Sequence, residues 1–315
     1  MDEIVLAGDL GGTNLRIAAV DNTGRLLYRA EAETPRHPDA GKVVDAVVGL
    51  VSECRAAVGA NRCIHGFAFA IPAIIQSDEN RIFSSPNLPE LNGSDLSAEL
   101  ASKLQLKVTL ENDATAAAIG EHWLGASSGF DSSICVTLGT GVGGGIILNG
   151  EPLRGPDGTA GEIGHICVEP LGAACGCGSF GCLEQYSSAS AITRMATELI
   201  GQFPHSGLAN EESFDALTVF KLGVAGDALC IEVFRRAGVY LGIALSGLIN
   251  VLNPEVIVIG GGAAEGWDLF IAAVRSEIKK RAFQQPAERA RIVRAALGGD
   301  AGIIGAARLA FGKAA

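Results

Sequence analysis

Between His165 and Glu184 the chain reads HICVEPLGAACGCGSFGCLE, and four of its side chains are of the kinds that bind a soft metal. Cys175 and Cys177 form a C-x-C, Cys182 follows after four intervening residues, and His165 lies upstream of all three. One imidazole and three thiolates complete a tetrahedral Zn²⁺ shell and leave no position for a water nucleophile, so the pattern predicts a structural site that stiffens a loop. Gly176, Gly178 and Gly181 supply the tight turns that so dense a cluster requires. A disulfide within the C-x-C is disfavoured, because so short a bridge is strained.

Two other stretches are suited to phosphate. Residues 4–21, IVLAGDLGGTNLRIAAVD, and residues 134–150, ICVTLGTGVGGGIILNG, each read as strand, glycine turn with a threonine, strand. The amides and hydroxyl at such a hairpin tip can cradle phosphate oxygens. The second stretch matches G-x-G-x-x-G at Gly139, Gly141 and Gly144, but that fingerprint needs its last glycine to open a helix. Here Ile146, Ile147 and Leu148 continue as a strand, so the dinucleotide reading is rejected.

These groups need a framework, and the pattern between them alternates. Helices are expected over 42–58, 96–104, 113–124, 188–200, 214–222, 227–252, 267–281 and 303–311, and strands over 64–71, 108–111 and 255–259, the last running into Gly260, Gly261 and Gly262. Alternation of this kind argues α/β. At 315 residues there is room for two domains. We expect a small N-terminal αβ domain over 1–112, joined by a C-terminal helix over 301–315, and a larger αβ domain over 113–300 that carries the metal loop.

Composition excludes several roles. Apolar residues make up 48% and charged residues 19%, which describes a folded globule. A net charge of −11 argues against nucleic acid or an anionic membrane as partner. The first residues lack the basic start and long apolar core of a signal peptide, so the cytoplasm is expected. Residues 237–254 carry no charge but include Ser246, Asn250, Asn253 and Pro254, which suits a buried helix better than a membrane span. Cys54, Cys63, Cys135 and Cys230 are scattered and read as small buried apolar residues.

DLGGTNLRIAAVD, ENDATAAAIGEHWLGA, TLGTGVGGG, GEIGH and CGCGSFGCLEQYSSASA follow one another over nearly the whole chain. Together they resemble the ROK family of repressors, open reading frames and sugar kinases, and most closely its bacterial glucokinase branch. The resemblance implies an actin/sugar-kinase/Hsp70-like (ribonuclease H-like) duplicated fold with a central cleft, with ATP at its base and sugar between the domains. It implies transfer of a phosphoryl group from ATP to a hexose, most naturally glucose, with Mg²⁺ and a structural Zn²⁺. It further implies a homodimer or higher homo-oligomer.

Within that resemblance Asp113 is the general base that phosphoryl transfer to a hydroxyl calls for, although an aspartate opening a helix also suits a plain cap. Asn112, Glu162, His165 and Glu184 match sugar-contacting positions, with Asn87 a fifth and Asp113 itself a sixth. His165 would bind the metal through one ring nitrogen and point the other at the sugar. Asp9 would position Mg²⁺ through water, Gly11, Gly12, Thr13, Asn14, Thr140 and Gly141 would face the phosphates, and Gly261 and Gly262 would lie beside the adenosine. Two departures bear on the sugar. Pro72-Ala73 stands where the family often has Pro-Gly, and Leu91-Asn92-Gly93 lies where glucokinases often carry tryptophan. Kinases for fructose, N-acetylmannosamine or N-acetylglucosamine therefore remain alternatives. A sugar-sensing repressor would carry a helix-turn-helix ahead of the first glycine turn, and here that turn starts near residue 8.

Overall fold

The computed structural model describes residues 3–37, 39–59, 62–76 and 78–312. β1 (Ile4–Leu10) and β2 (Asn14–Asp21) form the expected first hairpin, and β3 (Leu26–Glu33) covers the far side of β2. The chain crosses through α1 (Gly41–Val58) to β4 (Ile64–Ile71), which runs parallel to β1. A small hairpin, β5 (Ile74–Gln76) with β6 (Arg81–Ser84), precedes α2 (Leu96–Leu104) and β7 (Val108–Asn112), which is parallel to β4. The sheet order is β3-β2-β1-β4-β7.

After α3 (Asp113–Trp123) the same plan recurs. β8 (Ser133–Leu138), β9 (Val142–Leu148) and β10 (Glu151–Pro152) come in succession. Then follow α4 (Glu184–Ser187), α5 (Ala189–Leu199), α6 (Ala216–Val224) and α7 (Ala228–Leu252), leading to β11 (Val256–Gly260). α8 (Trp267–Arg281), α9 (Gln284–Arg289), β12 (Arg291–Arg294) and α10 (Ala301–Ala310) complete the described chain. The second sheet runs β10-β9-β8-β11-β12, so both sheets place their strands in the order third, second, first, fourth, fifth. The near-repeat of the two glycine hairpins is thus the visible part of a duplicated α/β unit.

Side-chain size explains why the first sheet can be covered on both faces. Successive strand residues point to opposite sides. Phe67, Phe69 and Ile71 of β4 join Ile4, Leu6 and Leu10 of β1 in a bulky core with α1 and α2. Ala68 and Ala70, alternating with them, join Ala7, Ala18, Ala116, Ile303 and Ala306 in a core of small residues on the other face. That face receives α3 and α10 in close contact: a Cβ at Gly305 would come within 1.7 Å of the Ala116 carbonyl oxygen.

The chain divides into two compact units, Met1–Cys135 with Gly145–Gly161 and Ala295–Ala315, and Val136–Gly144 with Glu162–Arg294. The seam expected at residue 112 falls inside the first unit, ahead of α3. One further expectation changes. Cys54, Cys135 and Cys230 are buried, but Cys63 is exposed. β3 and β10 lie beyond β2 and β9 at the sheet edges. Among the described residues no helix is long and apolar enough to cross a membrane.

Candidate functional site

The loop from Glu162 to Leu183 folds as a narrow hairpin. Val168 N–H donates to the Gly181 carbonyl at 2.8 Å and Leu183 N–H to that of Ile166 at 2.9 Å, while Cys175 N–H donates to Ser179 at 2.8 Å. Gly181 is required here, with φ 68° and a would-be Cβ only 1.8 Å from the Glu169 carbonyl oxygen. Tyr186 anchors the loop from below: its hydroxyl accepts from Ala173 N–H at 2.8 Å and its ring packs on Tyr240 with centroids 4.1 Å apart.

This folding gathers His165, Cys175, Cys177 and Cys182, whose ligand atoms all lie within 4.8 Å of one another. His165 Nδ1 is 3.7 Å from Cys175 Sγ, and the Cys177 and Cys182 sulfurs are 3.7 Å apart. A tetrahedral zinc shell with bonds of about 2.3 Å sets its ligands roughly 3.8 Å apart, so the four residues fit Zn²⁺ with Nδ1 as the histidine donor. Nε2 then faces the Glu162 carboxylate, 3.9 Å away. Burial raises the Glu162 carboxyl above its ordinary range; His165 opposes that and the neighbouring Glu184 charge adds to it. Glu162, His165 and Glu184, expected together from sequence, are therefore neighbours in the second unit.

Glu184 opens α4, and its Oε2 accepts from Val142 N–H at 3.0 Å, tying the metal loop to the tip of the second glycine hairpin. Gly141 is glycine for the same reason: a Cβ there would lie 2.2 Å from that carboxylate oxygen. The tip is held further by Ala189 N–H donating to Gly139 O at 2.8 Å and by the Ser190 hydroxyl donating to Thr140 O at 2.9 Å. Beside it opens a cavity of about 560 Å³ lined by Gly139, Thr140, Thr193, Phe220, Phe234 and Gly262 among others. Thr140 and Gly262 were expected on this side; Gly141 instead backs onto Glu184, and Gly261, with φ 87°, turns the chain beside Leu138. Sequence reading missed Thr193, Phe220 and Phe234, which lie on helices whose periodicity signals only a core.

The first glycine hairpin is built differently. The Thr34 hydroxyl donates to Gly11 O at 2.7 Å, Arg36 to Gly12 O at 2.8 Å, and Thr34 N–H to Thr13 O at 2.8 Å. With its carbonyls so engaged, and the Gly11 N–H donating to Asn14 O at 2.8 Å, the turn has the Gly12 and Thr13 amides and the Thr13 hydroxyl to offer an anion. Asp9 lies just behind, paired with Arg16. Burial raises its carboxyl pKa, Arg16 draws it down, and the Asp300 charge raises it again. Asp9 is thus a largely buried carboxylate whose charge is balanced by Arg16.

At the end of β7 the helix cap is Asn112, not Asp113. Asn112 Oδ1 accepts from the N–H groups of Ala114 and Thr115, both at 3.0 Å, and its Nδ2 donates to Ala73 O at 3.2 Å. Asp113 is the first helical residue, with Oδ1 accepting from Ala114 N–H at 2.8 Å. Behind them Glu111, 4% exposed, accepts from Arg154 Nε at 2.8 Å and from Asn112 N–H at 3.0 Å. Burial raises the Glu111 carboxyl pKa, with Arg154 opposing. Outside glycine, left-handed backbone among the described residues occurs at Asn80, Gln105, Asn149 and Asn253, so Ala73 turns the chain without strain. Asn87 is exposed, on a loop held by Asn92 Oδ1 accepting from Ser85 N–H at 2.7 Å.

Glu121 is a further missed residue. It is fully buried in the alanine-rich α3 and accepts from Ala126 N–H at 2.7 Å, Leu297 N–H at 2.8 Å and Ala296 N–H at 3.0 Å. A lone glutamate among alanines was the available signal.

Comparison with known proteins agrees with this architecture. The model of the ROK family matches residues 5–313. A glucokinase of Halalkalibacterium halodurans is 37% identical over 94% of this chain and 92% of its own. A ROK family glucokinase from Streptomyces griseus, solved with glucose and AMPPNP, superposes with a TM-score of 0.84 at 31% identity over 98% of this chain and 100% of that one. A ROK family transcriptional regulator, a homolog of the E. coli MLC protein, superposes at 0.89 with 28% identity, over 98% of this chain and 78% of that one.

Proposed function

The chain belongs to the ROK family, and from that premise we propose that it transfers the terminal phosphoryl group of ATP to a hexose, glucose before others, giving glucose 6-phosphate. It is a sugar kinase. The observation that carries the mechanism is the division of labour at the start of α3. Asn112 accepts from Ala114 and Thr115 N–H and sets the start of the helix, Asp113 accepts from Ala114 N–H through Oδ1, and we assign its carboxylate to accept the proton of the attacking sugar hydroxyl as that oxygen closes on the γ-phosphorus.

The remaining residues bind and orient. Asn87, Asn112, Glu162, His165 and Glu184 are assigned to the sugar hydroxyls. The amides of the first hairpin and the Thr140 tip of the second take phosphate oxygens, and the cavity beside Gly262 takes the nucleoside. Mg²⁺, held through water at Asp9, would neutralise the charge on the phosphates. Zn²⁺ on His165 Nδ1, Cys175, Cys177 and Cys182 would cross-link the loop and fix the imidazole plane, leaving Nε2–H directed at a ligand. A cytoplasmic, homo-oligomeric enzyme completes the reading.

The test is Asp113→Asn, which keeps the shape and removes the base. Turnover of glucose should fall about 10³-fold while glucose binding, followed by calorimetry, changes little. Retention of more than a few per cent of the rate, on the order of the loss a positioning group alone would cause, sinks the assignment. Coupled assays over glucose, fructose, N-acetylmannosamine and N-acetylglucosamine, with ATP varied against polyphosphate, settle the substrates.

A further inference from the structure

A fourth thiol lies in the metal loop, beside the three of the cluster. Cys167 is exposed and Cys182 buried, and the two face each other as an antiparallel pair. The flanking hydrogen bonds are made by their neighbours, Val168 N–H to Gly181 O and Leu183 N–H to Ile166 O. Cys167 and Cys182 are therefore a non-hydrogen-bonded pair, the arrangement in which Cα atoms approach to about 4.5 Å and side chains leave the same side of the ribbon. That separation lies within the roughly 4.4–6.8 Å that a disulfide spans, at its short end. Cys167 is not one of the four clustered ligands.

We propose that Cys167 and Cys182 form a reversible disulfide that removes one thiolate from the zinc shell and releases the metal. The inference rests on the zinc reading above and adds to it a modification site for thiol oxidants, specifically hydroperoxides. Cys167, in contact with solvent, reacts first: its sulfur takes one oxygen from the hydroperoxide, which leaves as an alcohol, or as water when the oxidant is hydrogen peroxide, and Cys167 becomes a sulfenic acid. The Cys182 thiolate then attacks that sulfur, the S–S bond forms, and the sulfenic oxygen departs as hydroxide and takes up a solvent proton. Two sulfurs have lost two electrons in total, and the peroxide O–O bond has gained them. A bridge with such close Cα atoms is open to thiol reductants, which makes the step reversible.

The pair is placed to matter. Cys167 stands two residues after His165, and Cys182 two residues before Glu184, whose carboxylate holds the Val142 amide. Loss of the metal frees the His165 ring and loosens the hairpin from both ends, so the oxidised chain should bind hexose weakly while its nucleotide cavity is little changed.

The experiment starts from zinc-replete protein with the metal content measured, then adds hydrogen peroxide while a chromophoric chelator follows release and peptide mass mapping locates any bridge. One zinc per chain should appear together with a Cys167–Cys182 bridge, and dithiothreitol with zinc should restore glucose binding. Cys167→Ser should keep its reduced-state kinetics and slow peroxide-driven release about tenfold or more, because the exposed thiol that reacts first is gone. Cys63→Ser, which removes the exposed thiol elsewhere, should behave as the parent. A bridge mapped to Cys175, Cys177 and Cys182 alone, or a Cys167→Ser protein that releases zinc as fast as the parent, overturns the inference and leaves the zinc reading standing. A purified chain that neither contains nor takes up zinc overturns both.

Discussion

The two glycine hairpins share a strand order and a turn composition, yet they are held by different forces. The first, in one unit, is fixed by polar bonds and charge: Thr34 and Arg36 take its carbonyls, and Asp9 pairs with Arg16 behind it. The β7–α3 junction in that unit follows the same logic, with Glu111 on Arg154. The second, in the other unit, is fixed by the start of α5 and by a metal-gathering loop, and it opens on an apolar cavity. One copy of the duplicated plan has specialised toward charge, the other toward packing and cross-linking.

That contrast can be broken or sharpened by experiment. Its largest expected effect lies in the cross-linked copy. Structural zinc sites in small domains contribute on the order of 10 kcal/mol, so Cys177→Ser or exhaustive chelation should lower the melting temperature and raise the glucose KM several-fold. Unchanged calorimetric melting and kinetics after chelation would remove the metal from the account.

Next comes the charged copy. Arg154→Met strands the buried Glu111 carboxylate and should cost about 3–5 kcal/mol in urea unfolding. Adding Glu111→Leu to that variant should recover much of the loss. If the single variant is as stable as the parent, charge is not what holds β7.

Gly141→Ala probes the joint between loop and hairpin. It pushes the Glu184 carboxylate off the Val142 amide, and a charged hydrogen bond of about 1.5–3 kcal/mol should be lost. The glucose KM is then expected to rise about tenfold or more with the ATP KM nearly constant; a change confined to ATP would mean that Gly141 serves the phosphates directly.

The smallest effect is a control on exposed charge. Arg235 and Arg236 hold the Glu232 carboxyl down to about 2, below its ordinary range. A depressed carboxylate pKa stabilises the fold above the unfolded value near 4.5 and loses that contribution as the pH falls toward 2. Glu232→Gln should therefore cost about 1 kcal/mol or less at neutral pH, and the gap should close in acid.

Much of this was legible in the residues themselves. The strand alternation of Phe67 to Ile71, the helix over Trp267–Arg281 and the four-residue metal cluster all follow from local periodicity or dense spacing, and they stand where the sequence puts them. What was missed depends on partners far along the chain. β3, eight residues long, and β12, four, are half-exposed strands rich in Glu or Arg, and they are strands only because β2 and β11 offer an edge. Asn112 rather than Asp113 caps α3 because the chain leaves β7 one residue earlier than a cap at Asp113 would need, a backbone detail that composition does not carry. The roles of Glu121 and Glu111 appear only when residues 296–297 and Arg154 reach them. Cys167 gave no signal of its own until the loop placed it opposite Cys182.

The alanine-lined face of the first sheet has a consequence for how the protein is made. That surface is covered by Ala301–Ala310, which contacts β1 and β4 directly, although β1 leaves the ribosome long before that helix exists. During synthesis the nascent sheet must wait with an apolar side uncovered, and closure over so long a sequence separation is intrinsically slow. Chaperone demand should therefore last through translation and end only when α10 seats against the helix that bears Asp113.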